Sequence, residues 1–155
     1  MTIDDLLAII NIDELTIPVC RYNFDHDKLK INGSLYYHFM VEEKKVTFTQ
    51  KGKKISVTMP YLFGASNNKD THAKKENEEI FFGLDVVYRL FITLDEEAEI
   101  DEDTKKVFLE SVVPRILHPY FRQTVAEALQ KAGLPQLNLP LFENVSEPIK
   151  GEQKI

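Results

Sequence analysis

The chain has no tryptophan, a single cysteine and a negative charge balance. Cys20 has no partner for an intrachain disulfide, which fits a reducing compartment. With 19 Lys plus Arg against 25 Asp plus Glu, the net charge of -6 gives a nucleic-acid partner no electrostatic support. Basic or unfolded polypeptides suit it better. No apolar run approaches the ~20 residues that cross a bilayer, so membrane insertion is not expected. The short run Leu6 to Ile10 follows Asp4 and Asp5, whereas a secretory signal carries positive charge there. No ATP-binding loop is present. The expectation is a cytoplasmic protein without cofactor or metal, and not an enzyme.

What is present is patterning. A length of 155 residues favours one domain over 1–155, and 43% hydrophobic content suffices for a core. A short helix is expected within 1–13, capped by Thr2 or Asp4. "ELTIPVCRYNF" favours strand, and Pro18 restricts it to an edge or a bulge. Asn32-Gly33 signals a turn. "SLYYHFMV", "VTFTQ" and "ISVTMPYLF" follow as strands separated by the polar turns "EEKK" and "KGKK", which implies antiparallel pairing. Residues 64–79 are almost free of apolar side chains and predict a long exposed loop.

"IFFGLDVVYRLFITL", residues 80–94, is the strongest strand. It is buried on both faces, or buried on one and used for contact on the other. Residues 95–103 then hold seven acids in nine. Asp101 or Asp103 is placed to cap the following helix. A longer helix runs from about Pro114 to Ala132, with Pro114 between the two helices or in the first turn of the second. Ile116, Leu117, Tyr120, Phe121, Val125, Ala128 and Leu129 recur at helical spacing. Pro119 should distort its start, and Gly133 should end it. "LPQLNLPLF" is extended because Pro135 and Pro140 forbid a helix, and 143–155 reads as a flexible polar tail. Strands first and helices after argue for an α+β fold.

Reactive chemistry is sparse. His26 in "DHD" lies between acids, but neighbouring residues in one turn rarely converge on an ion. Cys20 has no activating motif and reads as a small core residue. His118 reads as a packed or rim histidine more than as a base. The acidic run lacks the glycine and spacing of a calcium loop; it is a solvated connection, or a docking surface for a basic partner through Asp95, Glu96, Glu97 and Glu99.

Pro114, Ile116, Leu117, Pro119, Tyr120 and Arg122, followed by Gly133, Leu134, Pro135, Gln136, Leu137, Asn138 and Leu139, carry a family likeness. In order and spacing this stretch resembles SecB, the cytoplasmic chaperone of bacterial protein export, over about 60 residues from Leu84 onward. The resemblance implies a four-stranded antiparallel sheet with C-terminal helices on one face. It also implies a homotetramer, a dimer of dimers with the long helices inside the interface. Ile116, Tyr120, Phe121, Arg122 and Val125 are the expected interface residues. The implied activity is that of an ATP-independent holdase for non-native polypeptides, with the export motor SecA as a further partner. The family also includes SecB-like chaperones of toxin–antitoxin–chaperone systems, so the alternative is a dedicated partner-binding protein, such as an antitoxin guardian or a phage-borne adaptor with one client. Apolar, aromatic-rich grooves suit such clients. The expected groove joins Phe81, Phe82 and Phe91 to Leu134, Leu137, Leu139, Leu141 and Phe142.

Overall fold

A computed structural model describes residues 1–30, 34–67, 80–140 and 149–154. The turn expected at Asn32-Gly33 lies outside them, as do residues 68–79 of the expected loop; residues 64–66 continue a strand. Helix α1 (Ile3–Ile9) starts at Thr2, whose hydroxyl accepts from the Asp5 N–H while the Asp5 carboxylate accepts from the Thr2 N–H. This reciprocal capping satisfies donors that the first turn leaves open, and it holds the Asp5 carboxyl below its usual pKa.

Six strands form one antiparallel sheet: β1 (Ile10–Phe24), β2 (Ser34–Val41), β3 (Thr47–Lys51), β4 (Lys54–Ser66), β5 (Ile80–Leu94) and β6 (Ile149–Lys154). Their order is β1-β5-β4-β2-β6, with β3 also on β4. Among the described residues the sheet thus has six strands, not four, and the end of the expected flexible tail is strand. The polar sequence of β6 hid it, because a strand held on a sheet edge by backbone pairing needs no apolar period.

β4 pairs with β5 along its length, and its other side is shared by β3 and β2. Pro60 explains the division. Its carbonyl accepts from the Glu42 N–H, 3.0 Å away, so its nitrogen faces the same side. There the partner strand is interrupted by a 3-10 turn at Glu43–Lys45, and no ladder donor is missed.

One face of the sheet carries odd residues of β2 and β4 and even residues of β5, buried from Leu35 through Phe63 to Leu94. The helices pack on this face. Asp101 caps α2 (Glu102–Val107) by accepting from the Thr104 N–H. A π turn at Phe108–Val112 leads directly into α3 (Val113–Lys131). Pro114 sits in the first turn of α3 and has no N–H for the preceding turn. That turn widens, so the Val113 N–H reaches the Phe108 carbonyl. α3 continues through Pro119. Gly133, at φ 73°, ends it: the Leu134 N–H bonds the Leu129 carbonyl at 2.9 Å and the Gly133 N–H the Gln130 carbonyl at 3.0 Å.

Phe121 of α3 is the centre of the layer contact. Its ring lies 4.8 Å from Tyr61, 5.2 Å from Phe39 and 6.5 Å from Phe63. The Tyr88 hydroxyl bonds Thr124 Oγ1 at 2.7 Å, which anchors α3 to β5. Burial pushes both Tyr61 and Tyr88 well above the usual phenol range, so both stay protonated.

Candidate functional site

The residues expected to line a groove do not form one open surface. Phe81 and Phe82 are fully buried, and Phe82 stacks edge-on against Phe63. Leu134 and Leu139 are buried too, and Leu137 is half-buried. Phe91 lies on the opposite face of the sheet, because odd residues of β5 point away from the helices. Leu141 and Phe142 lie outside the described residues. A β-strand sends neighbouring side chains to opposite faces, so Phe82 and Phe91 were never able to share a groove.

The extended strip 134–140 behaves as its alternation predicts. Leu137 and Leu139 turn inward while Gln136, Asn138 and Pro140 stay exposed. It bridges the layers: Tyr37 of β2 donates to the Asn138 carbonyl at 3.2 Å, and His118 Nε2 of α3 meets the Pro140 carbonyl at 2.8 Å. His118 is packed against the contacting rings of Phe39 and Phe121, and burial lowers its pKa below the usual histidine value. It therefore donates from Nε2 as a neutral ring.

Of the expected interface residues, Phe121 and Val125 are buried inside the chain against its own sheet and are not available to a partner. Both belong to the inward stripe of α3, which the sequence does not distinguish from an intersubunit stripe. Tyr120 and Arg122 are exposed on opposite flanks of α3, and Ile116 is half-buried one turn before Tyr120. The acidic run is also exposed. Asp95 Oδ1 accepts from Asn11 at 2.7 Å, and among the described residues no cation pairs with Glu96, Glu97 or Glu99. Glu97 and Glu99 border a shallow cleft of about 390 Å³ with Gln50 and Gly52. Gln50 Nε2 donates to the Ala98 carbonyl at 2.9 Å and fixes the acidic loop beside the β3–β4 turn.

A larger cleft, about 460 Å³, was not foreseen. Val41, Val46, Met59 and Leu109 supply its apolar lining; Glu43, Glu102, Asp103 and Glu110 give it acids, against Lys105 and Lys106. Lys105 is itself engaged, 3.7 Å from Glu102 and 5.0 Å from the centre of the Phe48 ring. The cleft therefore has an apolar lining and an acidic excess. The available signal was Val41 and Val46 bracketing "EEKK": two apolar residues at the ends of a charged turn have to pack beneath it.

Cys20 is exposed on β1, not a core residue. His26 packs edge-on against Phe24 in a 3-10 turn. Among the described residues no three His, Cys, Asp or Glu side chains gather as a metal site, and no helix is long and apolar enough to cross a membrane.

A model of the SecB family, described as preprotein translocase subunit SecB, matches residues 45–144. No curated protein matches the chain. Among solved structures, the fold is similar to that of the Mycobacterium tuberculosis Rv1957 SecB-like chaperone in complex with a ChAD peptide from the Rv1956 HigA1 antitoxin. The TM-score is 0.68 at 14% identity, covering 90% of this chain and 95% of that one. At that identity the likeness is one of fold.

Proposed function

This chain belongs to the SecB family, and from that premise we propose that it is a cytoplasmic, ATP-independent holdase, not an enzyme, that keeps non-native polypeptides from aggregating. The observation that carries the reading is the 460 Å³ cleft with its apolar lining and acidic excess. Such a surface offers contact area to apolar segments flanked by basic residues and offers no reactive group. Met59 and Leu109 adapt to varied side chains, and several copies of one weak cleft on an assembly multiply affinity through effective concentration. The assembly we propose is a homotetramer joined through the exposed surface of α3, which carries Tyr120 and Arg122 on its two flanks. Glu96, Glu97 and Glu99 would receive a basic partner such as the export motor SecA.

The test is suppression of aggregation of several unrelated unfolded proteins without nucleotide, together with light scattering. Protection of several clients by a tetramer supports the reading; a monomer that protects none refutes it. The second reading, a guardian of one antitoxin, draws on the fold shared with a SecB-like chaperone that holds an antitoxin peptide. Pull-down and mass spectrometry separate the two by the number of clients recovered.

A further inference from the structure

Strand β6 is an unusual occupant of its place. Its sequence, Ile-Lys-Gly-Glu-Gln-Lys, has one apolar residue, and it lies beyond the stretch that matches the family. Yet it is held from two sides. On one side it pairs with β2 from Ser34↔Lys154 to Phe39↔Ile149. From the helix-facing side of the sheet, Gln153 Nε2 donates to the Gln136 carbonyl at 2.9 Å, and Gln153 Oε1 accepts from the Asn138 N–H at 3.1 Å. One amide side chain thus satisfies both a donor and an acceptor of the 134–140 strip. Opposite Tyr37 the strand carries Gly151, where a Cβ would overlap Cζ and Oη of the Tyr37 ring. The site reads backbone, a small residue and an amide, and it asks little apolar area of its occupant.

We propose that β6 is a built-in competitor in a strand-accepting slot on the β2 edge, overlaid by the 134–140 strip, and that extended segments of client polypeptides displace it. This rests on the holdase reading and names a second way in which such a protein holds clients. A client strand with a glycine or other small residue opposite Tyr37 gains the same ladder hydrogen bonds. Where its flanking residues are apolar it also buries surface that Lys150 and Glu152 do not. The opposite sheet edge is a poorer template, because β1 is bulged and contains Pro18. A site partly closed by its own tail binds clients with an affinity reduced by the fraction of time it is open.

Gly151→Val in the full-length chain tests the slot, because the added side chain collides with Tyr37 and expels β6. The expected results are faster amide exchange across residues 34–39 with β4 and β5 still protected, and saturable binding of a synthetic peptide of residues 149–155 in trans. The dissociation constant for an unfolded probe, reduced and carboxymethylated α-lactalbumin, should fall on the order of tenfold. If Gly151→Val fails to fold, the converse variant decides. Leu35→Cys with Gln153→Cys, in a Cys20→Ser background, ties β6 down across a directly paired position, and oxidation should weaken probe binding reversibly. Equal probe affinity in open and tied forms overturns the slot but leaves the holdase reading standing. Absence of probe binding in wild type refutes the holdase reading and the slot with it. A Gly151→Val chain that doubles in mass shows β6 seated in a second copy, which also overturns displacement by clients.

Discussion

At one edge of the sheet β1 runs for 15 residues, with two register shifts and Pro18 in the second. At the other edge β6 runs for six residues, in unbroken register, with Gly151 at its centre. The β1 edge is long and carries exposed Ile12, Ile17 and Tyr22. Unpaired strand edges invite pairing with other chains, and bulges and proline discourage it. The β6 edge is short and polar and covers β2, whose helix-facing side chains are core. One edge is protected by irregular backbone, the other by a replaceable strand. Irregularity is permanent, whereas a strand held by six residues and one amide clamp can leave.

The largest expected effect removes what both edges share. Phe121→Ala takes away the ring that meets Tyr61, Phe39 and Phe63, and should lower unfolding free energy by about 3–5 kcal/mol in urea titration. A loss under ~1 kcal/mol would mean that the helical layer does not hold the sheet together. Next comes a change near the β6 edge alone. Leu139→Ser places a hydroxyl at a position 5% exposed and should lower stability by about 2–3 kcal/mol. Amide exchange should then rise in β2 and β6 more than in β1; an equal rise would erase the distinction between the edges.

Much of this contrast was legible in the sequence on the β1 side and little on the β6 side. Pro18 within an apolar, β-branched run announced an edge or a bulge, and the structure has both. Each bulge adds one residue, so Ile12, Leu15 and Tyr22 all face the helix side despite their uneven spacing. That spacing conceals the strand's two-residue period. The long helix, its Gly133 stop and the inward leucines of the strip were legible because packing leaves an apolar period. β6 left none, because backbone pairing and a Tyr–Gly contact select it. The groove failed for a related reason: an aromatic count cannot say which face of a strand each ring takes, and Phe82 and Phe91 fall on opposite faces. The acidic cleft joins residues from β2, the turn after it, β4 and α2, which no local window unites.

A smaller effect comes with pH. His118 bonds the Pro140 carbonyl as a neutral ring, and burial holds its pKa below that of the unfolded chain. The unfolded state therefore binds the proton more readily. Stability from this group is complete above the ordinary histidine pKa of about 6.5 and declines as pH falls from there through the lowered value. Arg122 nearby adds to the lowering. Melting temperature should drop on acidification across this window, and His118→Gln, which keeps a donor, should flatten the drop. An identical pH slope in the variant would assign the effect to other groups.

The smallest effect on stability, and the sharpest on the comparison, comes from Pro18→Val. Ile17 and Pro18 together occupy the space between the partners of Thr16 and Val19, where β5 offers Tyr88 alone. Pro18 is exposed, so its replacement removes little packing, and melting temperature should shift by no more than about 0.5 kcal/mol equivalent. Valine restores an N–H donor and favours extended backbone, so β1 becomes a better template for a second strand. Two neighbouring side chains, Ile12 and Tyr22, already stand exposed beside that edge. Association beyond the wild-type mass should therefore rise with concentration in light scattering, at nearly unchanged stability. Wild-type mass at every concentration would show that the bulges alone guard this edge and that Pro18 adds nothing to them.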